Sequence, residues 1–215
     1  MKVFVINLDK RPVRLAEITS VLHNLNLRFE RITAVDAHHT NVWSRVAMFK
    51  AHLFKIGKLL PGSVGCFLSH QIIWRIIVER NIAQAMILED DAVAVDFDPE
   101  IMKINLYDFG LDQLRLEEVK NRPKFYWPIK GKPQLILGRS ALPKPSYGTA
   151  CYILTLEGAK KMLKAEKYWF NVDYFDMWSA LFGVRTAILR PNMFKQSNSV
   201  SDIAKDALFY GKNQT

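Results

Sequence analysis

The stretch Ala85-Met86-Ile87-Leu88-Glu89-Asp90-Asp91 constrains this chain most. An apolar run of the length of a buried strand drives directly into three consecutive carboxylates. Negative charge at the end of a buried strand is costly unless a cation or hydrogen-bond donors meet it. In open α/β sheets ligands collect in the crevice beyond the carboxyl ends of the strands. Glu89 and Asp91, with Asp90 between them, therefore stand where a diphosphate and its divalent ion would sit. An acidic turn solvated at the surface is the other reading of the same three residues.

Upstream, Val3 to Leu8 reads as a buried first strand that ends in the turn Asp9-Lys10-Arg11-Pro12, with Pro12 placed near the start of a helix. Leu15, Ile18, Leu22 and Leu25 follow at helical spacing, and Arg28 to Val35 supplies the next strand. Such a β-α-β unit favours a parallel sheet. Arg11 and Arg14 lie beyond the first strand and Asp36 beyond the second. All three are candidates for nucleotide contacts and equally for ordinary turn and helix-face charges.

Val46, Phe49, Leu53 and Ile56 mark the face of a further helix, broken at Leu59-Leu60-Pro61-Gly62-Ser63. Ser63 or a neighbour is expected to cap the helix that runs through Phe67, Ile73 and Ile77 towards Arg80. His38 and His39 are neighbours without further ligands at workable spacing, and Cys66 and Cys151 sit in separate apolar contexts. Neither a clustered zinc site nor a disulfide scaffold is expected. Ser69 and His70 point in different directions on a helix and have no acid in sequence reach, so a hydrolase pair is disfavoured and a packed His70 is the plainer reading.

After the acidic end, Ala92 to Phe97 reads as a second short strand. Residues 98 to 145 carry Arg115-Leu116-Glu117-Glu118, the aromatic patch Phe125-Tyr126-Trp127 and several prolines, consistent with loops, a short helix and strands bordering a cleft. Gly148-Thr149-Ala150 permits close approach of a ligand or backbone and leads into a strand ending at Thr155, then a helix from Leu156 to about Lys164. Asp173 is placed to cap a helix over Tyr174 to Phe182. Val184 to Leu189 reads as the last strand, followed by a polar tail that carries Gln196, Ser197 and Asn198.

At 215 residues with 49% hydrophobic content the chain reads as one domain, 1–215, with a ligand-binding half over 1–97 and an acceptor-side half over 98–215. The net charge of +9 favours an anionic partner such as nucleotide phosphate or a membrane surface. Nucleic acid is disfavoured because the basic residues are scattered and the aromatics carry no RNA-binding signature. The apolar start is too short for a signal peptide and no run approaches a spanning length, so a cytoplasmic protein resting peripherally on the inner membrane is expected.

Taken together, Val5-Ile6-Asn7-Leu8 with Arg11 and Arg14, Gly65-Cys66 with Ser69-His70 and Trp74, Ile87-Leu88-Glu89-Asp90-Asp91, Gly148-Thr149-Ala150 with Tyr152, Gly158-Ala159, Val172-Asp173, and Gln196 with Ser201-Asp202-Ile203 resemble glycosyltransferase family 25. They span nearly the whole chain in order. The resemblance implies a GT-A-like, Rossmann-like α/β fold with a mixed, mainly parallel sheet flanked by helices. It also implies a UDP-sugar donor, a glycan or lipooligosaccharide acceptor, Mn2+ or Mg2+, and inversion at the sugar carbon. Donor contacts are then expected from Asn7, Leu8, Arg11, Arg14, Asp36, Ser69, His70, Glu89, Asp90, Gly148 and Thr149. Asp91 and Glu89 are the expected metal ligands, with Gln196 or Asn198 completing the shell. Asp173 is the expected general base, followed by Asp176 and then His70. A metal-dependent phosphoryl-transfer enzyme and a non-catalytic basic binding module are the other classes the residues allow.

Overall fold

The computed structural model describes residues 1–38, 61–118, 125–129, 132–139, 148–164 and 181–197. The expected helix over 46–56, His39, Asp173, Asp176 and Asn198 lie outside the described residues.

The fold is α/β. Strand β1 (Lys2–Asn7) leads into helix α1 (Pro12–Asn24), with Pro12 in its first turn, and returns as β2 (Glu30–Thr33), which pairs parallel to β1. Helix α2 (Pro61–Glu79) precedes β3 (Gln84–Glu89), which pairs parallel to β1 on its other side. The β-α-β reading of the amino-terminal region is realised. Ser63 lies inside α2 rather than before it, because Pro61, whose fixed φ and missing N–H suit a first turn, already belongs to the helix.

β4 (Ala92–Ala94) is shorter than the strand expected there. Two 3-10 turns, Pro99–Lys103 and Leu106–Phe109, lead to β5 (Gln113–Arg115), and the β6 (Phe125–Ile129) and β7 (Lys132–Arg139) pair follows. β8 (Cys151–Thr155) runs into helix α3 (Leu156–Leu163), where the Thr155 hydroxyl accepts from Gly158 N at 3.0 Å as the N-cap. β9 (Thr186–Leu189) ends at Arg190-Pro191. The stretch expected to be a polar tail instead forms β10 (Phe194–Gln196).

The main sheet has the order β2-β1-β3-β8-β5-β9-β7-β6. It is mixed: parallel across β2-β1-β3 and between β5 and β9, antiparallel where β8, β7 and β6 join. β10 and β4 form a separate antiparallel ribbon with Gln196 opposite Ala92.

The apolar run of β1 is continuous because both of its faces are covered. Val3 and Val5 pack with Met86, Leu88 and the Ile18 and Leu22 face of α1. Phe4 and Ile6 pack with Ala85, Ile87 and the Phe67, Ile73, Trp74 and Ile77 face of α2. Each large side chain sealed in this way stabilises the fold by roughly 1.5–3 kcal/mol. α2 sits tightly on the loop leaving β2 because residue 65 is glycine: a Cβ there would lie 2.4 Å from Val35 O. That approach lets Ser69 Oγ accept from Val35 N at 2.8 Å while donating to Gly65 O at 2.6 Å.

Candidate active site

The carboxyl ends of β1 and β3 lie side by side, with Ile6 in register with Glu89, so Asn7 emerges next to the acidic triplet. The three carboxylates then diverge into three environments, as successive residues leaving a strand must. Asp90 turns to β1 and α1, accepting from Asn7 Nδ2 at 2.7 Å and facing Arg14 Nη1 at 3.4 Å. Burial raises its pKa, against the pull of the Asn7 hydrogen bond and Arg14. Asn7 is itself fixed: its Oδ1 accepts from Arg31 Nε at 3.0 Å and its Nδ2 also donates to Arg11 O at 3.1 Å.

Glu89 turns to α2. Its Oε1 accepts from the Thr149 hydroxyl, lies 3.3 Å from His70 Nε2 and 3.8 Å from Cys66 Sγ. Burial works to raise its pKa, but the His70 hydrogen bond and charge, with Thr149 and Cys66, hold it below the ordinary carboxylate value. Behind His70, its Nδ1 meets Tyr152 Oη at 2.7 Å and Trp74 Nε1 donates to the same oxygen at 3.1 Å. Indole N–H is a donor only, so Tyr152 Oη accepts from Trp74, and the two ring nitrogens of His70 join Tyr152 to Glu89.

Asp91 turns to the β4–β10 ribbon. Its backbone oxygen accepts from Ser197 N at 2.8 Å, and its Oδ2 accepts from Gln196 Nε2 at 3.0 Å. Its Oδ1 is buried without a hydrogen-bond partner among the described residues. Burial pushes the Asp91 pKa up to about 7, the Glu89 charge adds to the rise, and the Gln196 hydrogen bond opposes it. A buried, donorless carboxylate oxygen beside a side-chain amide is the oxygen donor set that a magnesium- or manganese-class ion takes, and turning the Gln196 amide over would offer such an ion a second oxygen. Asp91 and Gln196 thus fit the group that the acidic strand end implies.

A family model described as "Glycosyltransferase family 25 (LPS biosynthesis protein)" matches residues 1–176. The chain belongs to glycosyltransferase family 25. It is 28% identical over 181 residues to the Mus musculus "Inactive glycosyltransferase 25 family member 3", covering 77% of this chain and 29% of that protein. It is 26% identical over 176 residues to the Homo sapiens procollagen galactosyltransferase 2, covering 78% and 28%. With the Danio rerio procollagen galactosyltransferase 1 it shares 30% over 186 residues, covering 81% and 30%. The chain spans under a third of the length of these three curated relatives. Among solved structures, the galactosyltransferase LgtC in complex with donor and acceptor sugar analogs aligns at TM-score 0.48 and 11% identity over 99% of this chain and 94% of that one. A glycosyltransferase involved in glycosylation of the PBCV-1 major capsid aligns at TM-score 0.49 and 9% identity over 98% of each.

Within this family 25 chain, Asn7, Arg14, Asp90, Glu89, Thr149, Asp91 and Gln196 converge on the ends of β1 and β3. Leu8 and Arg11 share the turn after β1, where Arg11 N donates to Leu8 O at 2.9 Å. Asp36 pairs with Lys10 beyond β2. Gly148 takes φ +134°, a conformation that favours glycine, and its carbonyl accepts from Arg115 Nη2 at 2.8 Å. Ser69 is buried, with its hydroxyl committed to Gly65 and Val35, which makes it a clip between α2 and the β2 exit. His70 is fully buried and reaches the crevice only through Glu89.

Two groupings went unseen in the sequence. The expectation that no cysteine and histidine cluster exists is corrected: Cys66, His70 and Glu89 bring one ligand atom each to within 4.8 Å of one another. The spacing of Cys66 and His70, four apart on a helix, was the available signal. The second is the buried pair Arg115–Glu117, 2.9 Å apart, whose Glu117 Oε2 also accepts from Cys151 N at 2.7 Å. Charged residues at the end of a three-residue strand and two positions beyond it gave no sign of burial.

Proposed function

We propose that this chain is a glycosyltransferase that moves a hexose, galactose by kinship, from a UDP-sugar to a glycan acceptor of the lipooligosaccharide kind, with inversion. The observation that carries this reading is the buried Asp91 Oδ1, held without a donor at the carboxyl end of a central strand in a family 25 chain. Asp91 and Gln196 would hold a manganese- or magnesium-class ion, with Asn198 as a further candidate. When bound, the ion supplies positive charge against the departing diphosphate.

The chain's own residues do the rest. Arg11 and Arg14, at the mouth of β1, offer positive charge to phosphate oxygens, and Asn7 holds Asp90 in place at the same mouth. Asp36, beyond β2, and the small residues Gly148 and Thr149 border the donor. His70 acts as a positioning residue that holds Glu89. An acceptor hydroxyl gives its proton to Asp173, or to Asp176, as its oxygen attacks the sugar carbon, and the bond from that carbon to the diphosphate oxygen breaks. The +9 charge brings the protein to an anionic inner-membrane surface on the cytoplasmic side, where a lipid-linked acceptor would be met. Among the described residues no helix is long and apolar enough to cross a membrane.

A second reading, donor binding without transfer, draws on the relative named inactive. UDP release from UDP-galactose with manganese and a glycan acceptor separates the two. Turnover that falls roughly a hundredfold or more in Asp173→Asn, with UDP affinity retained, supports transfer. UDP binding without release supports the binding module, and neither would overturn the donor site.

A further inference from the structure

We propose that Cys66, His70 and Glu89 form a second cation site, distinct from the one at Asp91, that takes a thiophilic divalent ion of the zinc class. The three are the one such cluster among the described residues. Cys66 and His70 lie four apart on α2 and so share a helix face, and β3 delivers Glu89 against that face.

The spacing fits. Zinc bonds of about 2.0–2.3 Å at tetrahedral angles place oxygen about 3.4 Å from nitrogen and about 3.6 Å from sulfur. Glu89 Oε1 lies 3.3 Å from His70 Nε2 and 3.8 Å from Cys66 Sγ. The donor set differs in kind from that of Asp91 and Gln196. Thiolate and imidazole select zinc-class ions, whereas carboxylate and amide oxygens suit magnesium and manganese.

The surroundings also match a metal-binding imidazole. His70 is fully buried and its far ring nitrogen is pinned by Tyr152, which Trp74 holds in turn. With Nε2 on the ion, Nδ1 carries the proton and donates to Tyr152 Oη, which fixes the tautomer that binding needs. Cys66 and Glu89 are only half-buried, which gives the ion a path from the crevice. On binding, the Cys66 thiol gives its proton to solvent, sulfur bonds the ion, and no oxidation is involved. The site shares His70 and Glu89 with the donor crevice, but its occupancy is read without any sugar transfer.

The test uses the full chain, stripped of metal and titrated with zinc against a chromogenic chelator, then loaded with cobalt. Wild type and Asp91→Asn are expected to take one zinc per chain and to show thiolate-to-cobalt absorption. Cys66→Ala should bind zinc at least about a hundredfold more weakly, since even loss of an outer partner costs about 10–100-fold. In wild type, zinc should also slow alkylation of Cys66, a measurement that needs no variant and is not confused by the fully buried Cys151. Undiminished zinc affinity in Cys66→Ala, cobalt loading without thiolate absorption, loss of zinc in Asp91→Asn, or an unchanged alkylation rate would each overturn the site.

Discussion

Glu117 and Asp91 are both carboxylates whose pKa burial pushes up to about 7, yet one is finished and the other is not. Glu117 spends both oxygens inside the fold, Oε1 on Arg115 at 2.9 Å and Oε2 on Cys151 N at 2.7 Å. Asp91 has Gln196 on one oxygen and, among the described residues, no partner on the other. A buried charge with all its partners ties elements together, here β5 to the start of β8. A buried charge lacking a partner is a standing cost that a ligand can relieve. Burial with full pairing thus marks architecture in one place, and burial without it leaves an open carboxylate oxygen in the other.

The largest effect should come from breaking the finished site. Glu117→Gln leaves Arg115 buried without its counter-charge and should cost about 3–5 kcal/mol of stability, read as the drop in urea midpoint. A loss under about 1 kcal/mol would mean the pair is not structural. Asp91→Asn should do the reverse: a folded protein, as stable as wild type or more so, with calorimetric affinity for UDP and manganese reduced about a hundredfold or more. Unchanged affinity would remove Asp91 from the donor site.

A third expectation follows from protonation. Asp91 in the folded, metal-free chain holds its proton up to about pH 7, against an ordinary value of 3.8. Its contribution to stability is therefore fully present below about pH 4 and is lost as pH rises towards 7, with a slope of up to about 1.4 kcal/mol per pH unit. Urea melts across that window should flatten in Asp91→Asn and, for wild type, on adding manganese. Identical slopes in all three would contradict the unpaired state of Asp91. The smallest effect belongs to Gln196→Ala, which removes a single neutral partner and should weaken UDP and manganese binding about tenfold.

The legibility of the sequence divides along similar lines. β1, β3 and β8 declared themselves because burial on both faces writes an uninterrupted apolar run, and α1 through Leu15, Ile18 and Leu22. The acidic end of β3 was readable because three charges after four apolar residues have few physical explanations. β5 was not, since Gln113 and Arg115 are polar yet sealed, the first by Thr186 of β9 and the second by Glu117 two residues on. β10 was hidden for the same reason: three residues, one exposed lysine, and a pairing partner about a hundred positions away. Cys66 and His70 were each read alone. Only the fold supplies Glu89 as the third member of their group.

The β4–β10 ribbon has a consequence for synthesis. Asp91 and Gln196 are 105 residues apart, and closing a loop of that length before the sheet forms costs about 4 kcal/mol of chain entropy beyond the fixed terms. The ribbon is therefore expected to join late, after β5, β8 and β9 have shortened the distance. A nascent chain halted ahead of Phe194 could assemble β1, β2 and β3 and still lack the amide that steadies Asp91. Competence to hold a ligand at Asp91 would then report that translation has reached the far strand.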